Sequence, residues 1–250
     1  MKALVTGASS GIGKSIAEYL GSLGYDLILV SRDEKKLAEV AKNIKSNVRI
    51  IKKDLIKREE VFSLYEETKN DNIDILVNNA GFGLFGLFTE TDLDRELEMI
   101  DLNVTSYHIL TKLFLQDFVK RDSGYILNVC SSAGFMAGPR LNTYYATKNY
   151  VTKLTMGINE ELRRMGSSVH ISALCPGPVN TNFNQVAKGT FSVKGLSADF
   201  VGKYAVDKMF KNKMIIIPGF TIKMAVFFTR FLPYRWQLAV TYNIQHRKTK

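Results

Sequence analysis

The chain has 250 residues, of which 46% are apolar and 23% charged, as is ordinary for a folded protein. Its length and composition suit a single α/β domain and exclude a disordered body. The net charge of +10 is uneven, because ten of the 34 basic residues lie from Lys203 onward, against one acid, Asp207. Positive charge without a recognition motif is weak evidence of nucleic-acid binding, so we predict no nucleic-acid partner.

The N-terminal residues turn glycine-rich after four apolar or small residues, which is typical of neither a signal peptide nor a spanning helix. We therefore expect a cytoplasmic protein. Cys130 and Cys175 lie within apolar runs and are interpreted as buried thiols at the ends of two neighbouring strands. The three histidines are scattered singly, so we predict no metal site.

The first motif is a glycine turn between a predicted strand at 2–6 and a predicted helix at 14–24. The turn reads TGASSGIG at 6–13. Its backbone N–H groups and the positive end of the helix dipole suit a pyrophosphate, and the glycines let the phosphate approach closely. This arrangement predicts a dinucleotide site.

The second predicted strand, at 26–31, ends where such a fold reads the adenine ribose. An acid there accepts from the 2′-hydroxyl of NAD, whereas an arginine accommodates the additional phosphate of NADP. Ser31 and Arg32 stand at this point, so we predict NADP. Asp33 nearby argues in the other direction, and a surface arginine that ends a strand remains the alternative interpretation.

Strands and helices alternate along the rest of the chain, which predicts right-handed crossovers and a parallel sheet covered on both faces. Asp54 and Asn79 follow two of the strands, where each either faces the adenine or closes a turn. The further elements predicted are helices at about 34–45, 57–70, 91–101, 104–121, 144–165 and 197–211, and strands at 48–52, 73–77, 124–130, 169–175 and 214–218.

We make a separate prediction for each of three stretches between these elements. The apolar loop at 82–88 is expected to line a pocket or pack under a helix. Asn103 has apolar neighbours, so a buried role in a kinked helix or in binding water competes with plain exposure. Residues 182–195 lack periodicity and are expected to form a substrate lid, which we extend to about 212.

Ser131, Tyr144 and Lys148 form the candidate catalytic group. The serine follows a predicted strand, the tyrosine comes thirteen residues later, and the lysine lies four residues beyond it, on the same face of a helix. An ammonium at that distance lowers the pKa of the phenol, which then exchanges a proton with a substrate oxygen near neutral pH. Two other Tyr-x-x-x-Lys pairs have this spacing, but neither follows a strand-end serine.

The segment 220–250 is a basic and aromatic C-terminal extension. Its aromatic residues interleave with Lys223, Arg230 and Arg235, and the apolar run is too short and too charged to span a bilayer. Contact with an anionic membrane surface is one interpretation. Packing over the pocket or against a second subunit is the interpretation that we favour.

Residues 1–185 resemble the short-chain dehydrogenase/reductase family in the order and spacing of these motifs. The matching motifs are TGASSGIG at 6–13, Asp54, NNAG at 78–81, Asn103, Ser131 with Tyr144-x-x-x-Lys148, and PGPVNT at 176–181. The resemblance implies one doubly wound Rossmann-fold domain over 1–219, with about seven parallel strands and helices on both faces. It also implies a homodimer or homotetramer.

The resemblance further implies hydride transfer between NADPH and a carbonyl or alcohol substrate, with a catalytic tetrad of Asn103, Ser131, Tyr144 and Lys148. Tyr144 would protonate the oxygen that Ser131 holds, Lys148 would lower the pKa of the tyrosine, and Asn103 would anchor a water linked to the lysine. The implied cofactor-binding residues are Thr6, Gly7, Ser9, Ser10, Gly11, Ile12, Gly13, Ser31, Arg32, Asp54, Leu55, Asn79, Ala80, Gly81, Tyr144, Lys148, Pro176, Gly177, Val179 and Thr181.

The apolar loop at 82–88, together with Phe135 and Met136, favours a hydrophobic substrate. Two other functions stay open. A nucleotide-sugar epimerase or dehydratase uses the same tyrosine and lysine but usually carries a larger C-terminal domain. A non-catalytic NADP-binding sensor or membrane-recruited interaction protein would use the extension, although the intact tetrad argues against it.

Overall fold

The computed structural model describes residues 1–181, 183 and 195–246, and these form a parallel sheet between two layers of helices. The strands are β1 (Lys2–Thr6), β2 (Asp26–Ser31), β3 (Val48–Lys52), β4 (Ile75–Asn78), β5 (Tyr125–Val129), β6 (His170–Leu174), β7 (Val179–Asn180), β8 (Leu196–Ser197) and β9 (Ile215–Ile216). The helices are α1 (Gly11–Ser22), α2 (Glu34–Lys42), α3 (Arg58–Thr68), α4 (Leu93–Ile100), α5 (Ser106–Lys120), α6 (Asn142–Arg164), α7 (Ala198–Met209), α8 (Phe220–Thr229) and α9 (Tyr234–His246). The predicted elements are confirmed, with ends that differ by a few residues.

The seven-stranded sheet has the order β3-β2-β1-β4-β5-β6-β9, and all of its pairs are parallel. This order confirms the predicted doubly wound fold. It reverses direction between β1 and β4, so the connections that leave these two strands diverge to opposite faces. A crevice for a ligand opens between them at the carboxyl edge. The predicted glycine turn follows β1, and the predicted NNAG segment starts at the end of β4.

Both faces of the sheet are buried, because successive side chains of a strand point to opposite sides. Val5 belongs to the core under α1 and α7, whereas Leu4 belongs to the core under α3 and α5. The contact between α1 and α7 is close, since a Cβ on Gly202 would lie 2.4 Å from the Oγ of Ser15. Helix α7 is therefore part of the core, although the expected lid was extended across it. Within the expected lid, residues 182 and 184–194 lie outside the described residues.

The two helices predicted at 91–101 and 104–121 are joined without a break. Asp101–Thr105 forms a single π-helical turn between α4 and α5. Such turns insert one extra residue and recur at functional sites. Asn103 lies within this turn and is fully buried.

The C-terminal extension folds into a pair of helices, α8 and α9, joined by a short turn. Ile222 of α8 packs against Gly177, where a Cβ would lie 2.7 Å from the isoleucine side chain. Val226 is buried. Over the described ranges, no helix has the length and apolar character needed to cross a membrane.

Candidate active site

Glycines shape the turn between β1 and α1. Gly7 and Gly11 have φ of +63° and +56°, in the left-handed region that favours glycine. A Cβ on Gly7 would lie 2.8 Å from the Cα of Ala80, and one on Gly13 would lie 2.3 Å from Nδ2 of Asn79. Since no side chain caps the start of α1, its first N–H groups can receive a phosphate. The turn thus fits the pyrophosphate of a dinucleotide.

The Asn79 side chain fastens this turn to the end of β4. Its Nδ2 donates to the carbonyl oxygens of Thr6 and Gly7, each at 3.0 Å. The Thr6 hydroxyl oxygen accepts from the backbone N–H groups of Asn79 and Ala80, at 2.9 and 3.2 Å. Of the two roles considered for Asn79, closing the turn is the one its amide performs.

A cavity of about 460 Å³ extends along the carboxyl edge of the sheet, between Arg32 and Tyr144. Its size lies in the range of small-molecule sites, roughly 300–1,000 Å³. The predicted cofactor residues that line it are Gly7, Ser9, Ser10, Gly11, Ile12, Ser31, Arg32, Asp54, Leu55, Asn79, Ala80, Gly81, Tyr144, Lys148 and Thr181.

The end of the cavity at β2 is rich in cations. Arg32 and Lys36 are exposed there, and Lys53 also lines this end. The Asp33 carboxylate, in contrast, caps α2: it accepts from the Lys36 N–H at 3.0 Å and lies 3.3 Å from the Lys36 ammonium. That backbone hydrogen bond holds the pKa of Asp33 below its usual value. One carboxylate oxygen of Asp33, the acid that favoured NAD in the sequence analysis, thus caps the helix. The Asp54 carboxylate lies 3.9 Å from the Arg32 guanidinium.

Tyr144 lines the other end of the cavity, and its hydroxyl is hydrogen-bonded to Ser131. The Ser131 Oγ accepts from the Ala133 N–H at 3.1 Å, at the start of a 3₁₀ turn over Ser132–Phe135. Burial raises the pKa of Tyr144 above its usual value, and a hydrogen bond with Ser131 acts in the opposite direction. The expected effect of the lysine on the tyrosine is thus outweighed by burial in this arrangement.

Lys148 is buried one helical turn beyond Tyr144. Its Nζ donates to the carbonyl oxygen of Val129 at 2.9 Å and lies 5.9 Å from the centroid of the Tyr144 ring. Burial lowers the pKa of Lys148 to about 8, against smaller opposing interactions with Cys130 and Cys175. Both cysteines are buried, as predicted, and the Cys130 N–H donates to the last residue of β6.

Asn103 uses its side chain to tie three segments together. Its Oδ1 accepts from the Phe82 N–H at 3.1 Å, and its Nδ2 donates to the Phe82 carbonyl and to the Thr147 hydroxyl, at 2.8 and 3.2 Å. A Cβ on Gly81 would lie 2.7 Å from Asn103 Oδ1 and 3.6 Å from Lys148 Nζ. The Asn103 amide is thus engaged beside the lysine.

Aromatic side chains surround the end of the cavity at Tyr144. The Tyr144 and Phe183 rings lie 5.3 Å apart, and the Arg95 guanidinium lies 3.9 Å from the centroid of the Phe82 ring. Tyr145, the neighbouring tyrosine, instead accepts at 2.8 Å from the side-chain amide of Gln245 in α9. No cluster of three or more potential metal-binding His, Cys, Asp or Glu residues occurs within 1–181, 183 and 195–246.

The sequence profile of the short chain dehydrogenase family matches residues 1–190. The chain belongs to this family. An uncharacterised oxidoreductase of Staphylococcus saprophyticus is 40% identical to this short-chain dehydrogenase over 185 residues, which are 72% of this chain and 78% of the relative. The protein is therefore an oxidoreductase with a nucleotide-binding Rossmann fold.

Solved structures of short-chain dehydrogenases share its fold. A short-chain dehydrogenase from Sphingobium yanoikuyae in complex with NADPH has a TM-score of 0.82 and 29% identity, and the similarity covers 88% of each chain. A bulky-bulky ketone specific alcohol dehydrogenase from Comamonas testosteroni has a TM-score of 0.78 and 28% identity, and the similarity covers 87% of this chain and 85% of the other.

Some predicted site residues of this short-chain dehydrogenase lie outside the cavity lining, and some lining residues were not predicted. Among the described residues, the predicted ones that do not line the cavity are Thr6, Asn103, Gly13, Ser131, Pro176, Gly177 and Val179. Phe82 belongs to the loop that was expected to line a pocket, Phe183 to the expected lid, and Asp33 was weighed at the ribose. The lining residues missed by the sequence are Val30, Lys36, Lys53, Arg95, Leu102, Val129 and Cys130. Of these missed residues, only Lys36 could have been predicted from the sequence, because it lies four residues beyond Arg32.

Proposed function

We propose that this short-chain dehydrogenase transfers a hydride between NADPH and a hydrophobic ketone, aldehyde or alcohol. The observation that carries the proposal is the position of Tyr144 and Lys148 at one end of a cavity whose other end presents Arg32 and Lys36. A cytoplasmic location and a homodimer or homotetramer are part of the proposal. They rest on the composition and on the family resemblance.

The glycine turn, the start of α1 and the cationic end of the cavity fit NADP. The N–H groups from Gly7 to Gly13 would hold the pyrophosphate, and Arg32 with Lys36 would hold the 2′-phosphate. We expect Asp33 not to compete for the ribose, because one of its carboxylate oxygens caps α2. When bound, NADPH supplies the hydride that reduces the carbonyl carbon.

The residues of the chain supply the proton and stabilise the oxygen. Ser131 donates a hydrogen bond to the carbonyl oxygen as negative charge develops, and Tyr144 transfers its proton to that oxygen. Because burial raises the pKa of Tyr144, the phenol keeps its proton at neutral pH and is available as an acid. The buried Lys148 holds positive charge beside the tyrosine, which stabilises the phenolate left by proton transfer.

The substrate is proposed to be hydrophobic because Phe82, Leu102 and Phe183 line the cavity together with Tyr144. The Comamonas testosteroni relative is described as specific for bulky-bulky ketones, which supports a ketone class here. The test is oxidation of NADPH, followed by absorbance, with a panel of aliphatic, aromatic and cyclic ketones and aldehydes. We expect turnover with at least one hydrophobic member. NADPH binding without turnover across the panel would favour the sensor function instead.

Replacing both Arg32 and Lys36 with glutamine is expected to raise KM for NADPH by roughly tenfold to a hundredfold, because two charge-assisted contacts to the 2′-phosphate are lost. KM for NADH should change little, since NADH lacks that phosphate. Steady-state kinetics with both cofactors measures the difference. Lys35→Gln is the matched control, because Lys35 is exposed on the same helix and does not line the cavity. Equal losses for both cofactors would contradict the assignment.

A further inference from the structure

The C-terminal hairpin, which we define as Phe220–His246, exposes a broad aromatic surface. Phe220 is 78% exposed, Phe231 71%, Tyr234 83% and Trp236 65%. Three of the aromatic residues of the hairpin adjoin, because the Phe227 ring contacts those of Phe228 and Phe231 at centroid distances of 5.6 and 5.4 Å. Contiguous apolar surface of this kind marks an interaction site.

The hairpin is held on the domain by its inner face, so the exposed aromatics belong to a fixed surface. Ile222 packs against Gly177, and Val226 is buried. At the far end, Gln245 is buried and donates to the Tyr145 hydroxyl at 2.8 Å. Helix α8 is thus apolar on both its inner and outer sides, a pattern typical of a helix that is covered on both.

The charge of the C-terminal hairpin indicates what covers its outer side. Lys223, Arg230 and Arg235 interleave with the aromatic residues, and the chain contains no acid after Asp207. A second copy that met this surface with its own hairpin would bring the same three cations against them. An anionic surface would instead neutralise all three.

We propose that the outer face of the C-terminal hairpin docks on an anionic lipid bilayer. Phenylalanine side chains would enter the region between headgroups and acyl chains, while Tyr234 and Trp236 lie at the headgroup level, as is typical of interfacial aromatic residues. Lys223, Arg230 and Arg235 would contact lipid phosphates. The surface is built on segments that border the catalytic residues, since α8 contacts the turn that follows Ser131.

The chain offers a direct probe of docking, because Trp236 is its only tryptophan. We expect the fluorescence of the full-length protein to shift to shorter wavelength on addition of phosphatidylcholine vesicles that contain phosphatidylglycerol. Pure phosphatidylcholine vesicles should give a much smaller shift, and high salt should reverse most of the effect. Co-sedimentation with the same vesicles measures the bound fraction.

Two double variants keep Trp236 as the probe and remove one part of the surface each. Phe227→Ser with Phe231→Ser should weaken vesicle binding by more than about tenfold. Arg230→Gln with Arg235→Gln should weaken it by roughly fivefold to tenfold for each arginine. Phe62→Ser is the control, because Phe62 is half exposed on α3, which is distant from the hairpin in the sequence. This variant should bind vesicles like the wild type.

The outcomes distinguish docking on lipid from association with a second copy of the chain. Absence of a shift with anionic vesicles, or equal binding by the wild type and both folded variants, would overturn the proposal. So would a protein that is dimeric by light scattering, becomes monomeric in the phenylalanine variant and ignores vesicles. Turnover of a water-soluble ketone should be unchanged in all variants, so failure of docking and failure of the proposed catalysis are read out independently.

Discussion

Tyr144→Phe is expected to abolish reduction of every carbonyl compound that the wild-type protein accepts, while NADPH binding remains intact. Phenylalanine keeps the ring that packs near Phe183 but has no proton to give to the substrate oxygen. Loss of a general acid typically costs a factor of about 10²–10⁴ in rate. The rate of NADPH oxidation under saturating substrate measures the loss, and titration of NADPH fluorescence measures binding.

Tyr145→Phe is the matched control for this prediction, because it removes the same hydroxyl from the adjacent residue. The Tyr145 hydroxyl bonds to Gln245 in the hairpin, so its loss should lower stability by about 1 kcal/mol and leave the rate within a factor of about two. Substantial turnover by Tyr144→Phe, or equal losses in the two variants, would show that another group supplies the proton.

The parts of the site that the sequence predicted are those fixed by local chemistry. Gly7 and Gly11 need positive φ, and Gly13 leaves no room for a Cβ, so glycine marks the turn directly. The alternation of strands and helices fixed the crossover topology, and with it the edge at which Ser131 and Tyr144 meet. A one-dimensional pattern is sufficient where spacing along one helix or one turn decides the geometry.

Features set by burial and by contacts between distant segments were not predicted. Spacing alone placed Lys148 beside Tyr144 and led to a lowered phenol pKa, whereas desolvation of both groups proves the larger effect. From the sequence, Asp33 was also not assigned as the residue that caps α2. Its hydrogen bond to Lys36 places it at the N-cap of a helix whose predicted start, residue 34, matches the observed one.

The π-helical turn is a further example. Apolar spacing in the segment around Asn103 was read as two helices, because one extra residue shifts the phase of the pattern in the same way as a break. The structure shows that the extra residue turns the Asn103 amide inward, where Phe82 and Thr147 satisfy it. Position in the fold, not local sequence, selects between these arrangements.

Lys148→Met is expected to remove activity and at the same time to stabilise the protein without cofactor. Burial lowers the pKa of Lys148 from 10.5 to about 8, so the folded state resists the charged form that neutral pH imposes. Methionine removes this cost, and we expect a gain of about 1 to 3 kcal/mol in the free energy of unfolding at neutral pH. The Val129 carbonyl keeps a partner, because the Tyr107 hydroxyl donates to it at 3.2 Å.

The pH dependence of this gain identifies its cause. Between the folded value near 8 and the ordinary value of 10.5, the unfolded wild-type chain binds more protons than the folded one, so wild-type stability rises with pH through this window. The advantage of Lys148→Met should therefore be full below the lower value and shrink as pH approaches the upper one. Urea unfolding of both proteins across this window measures the difference. Lys153→Met, at an exposed position of the same helix, should change stability by less than about 0.5 kcal/mol at any pH. A variant less stable than the wild type at neutral pH would mean that the ammonium is better solvated by its neighbours than burial implies.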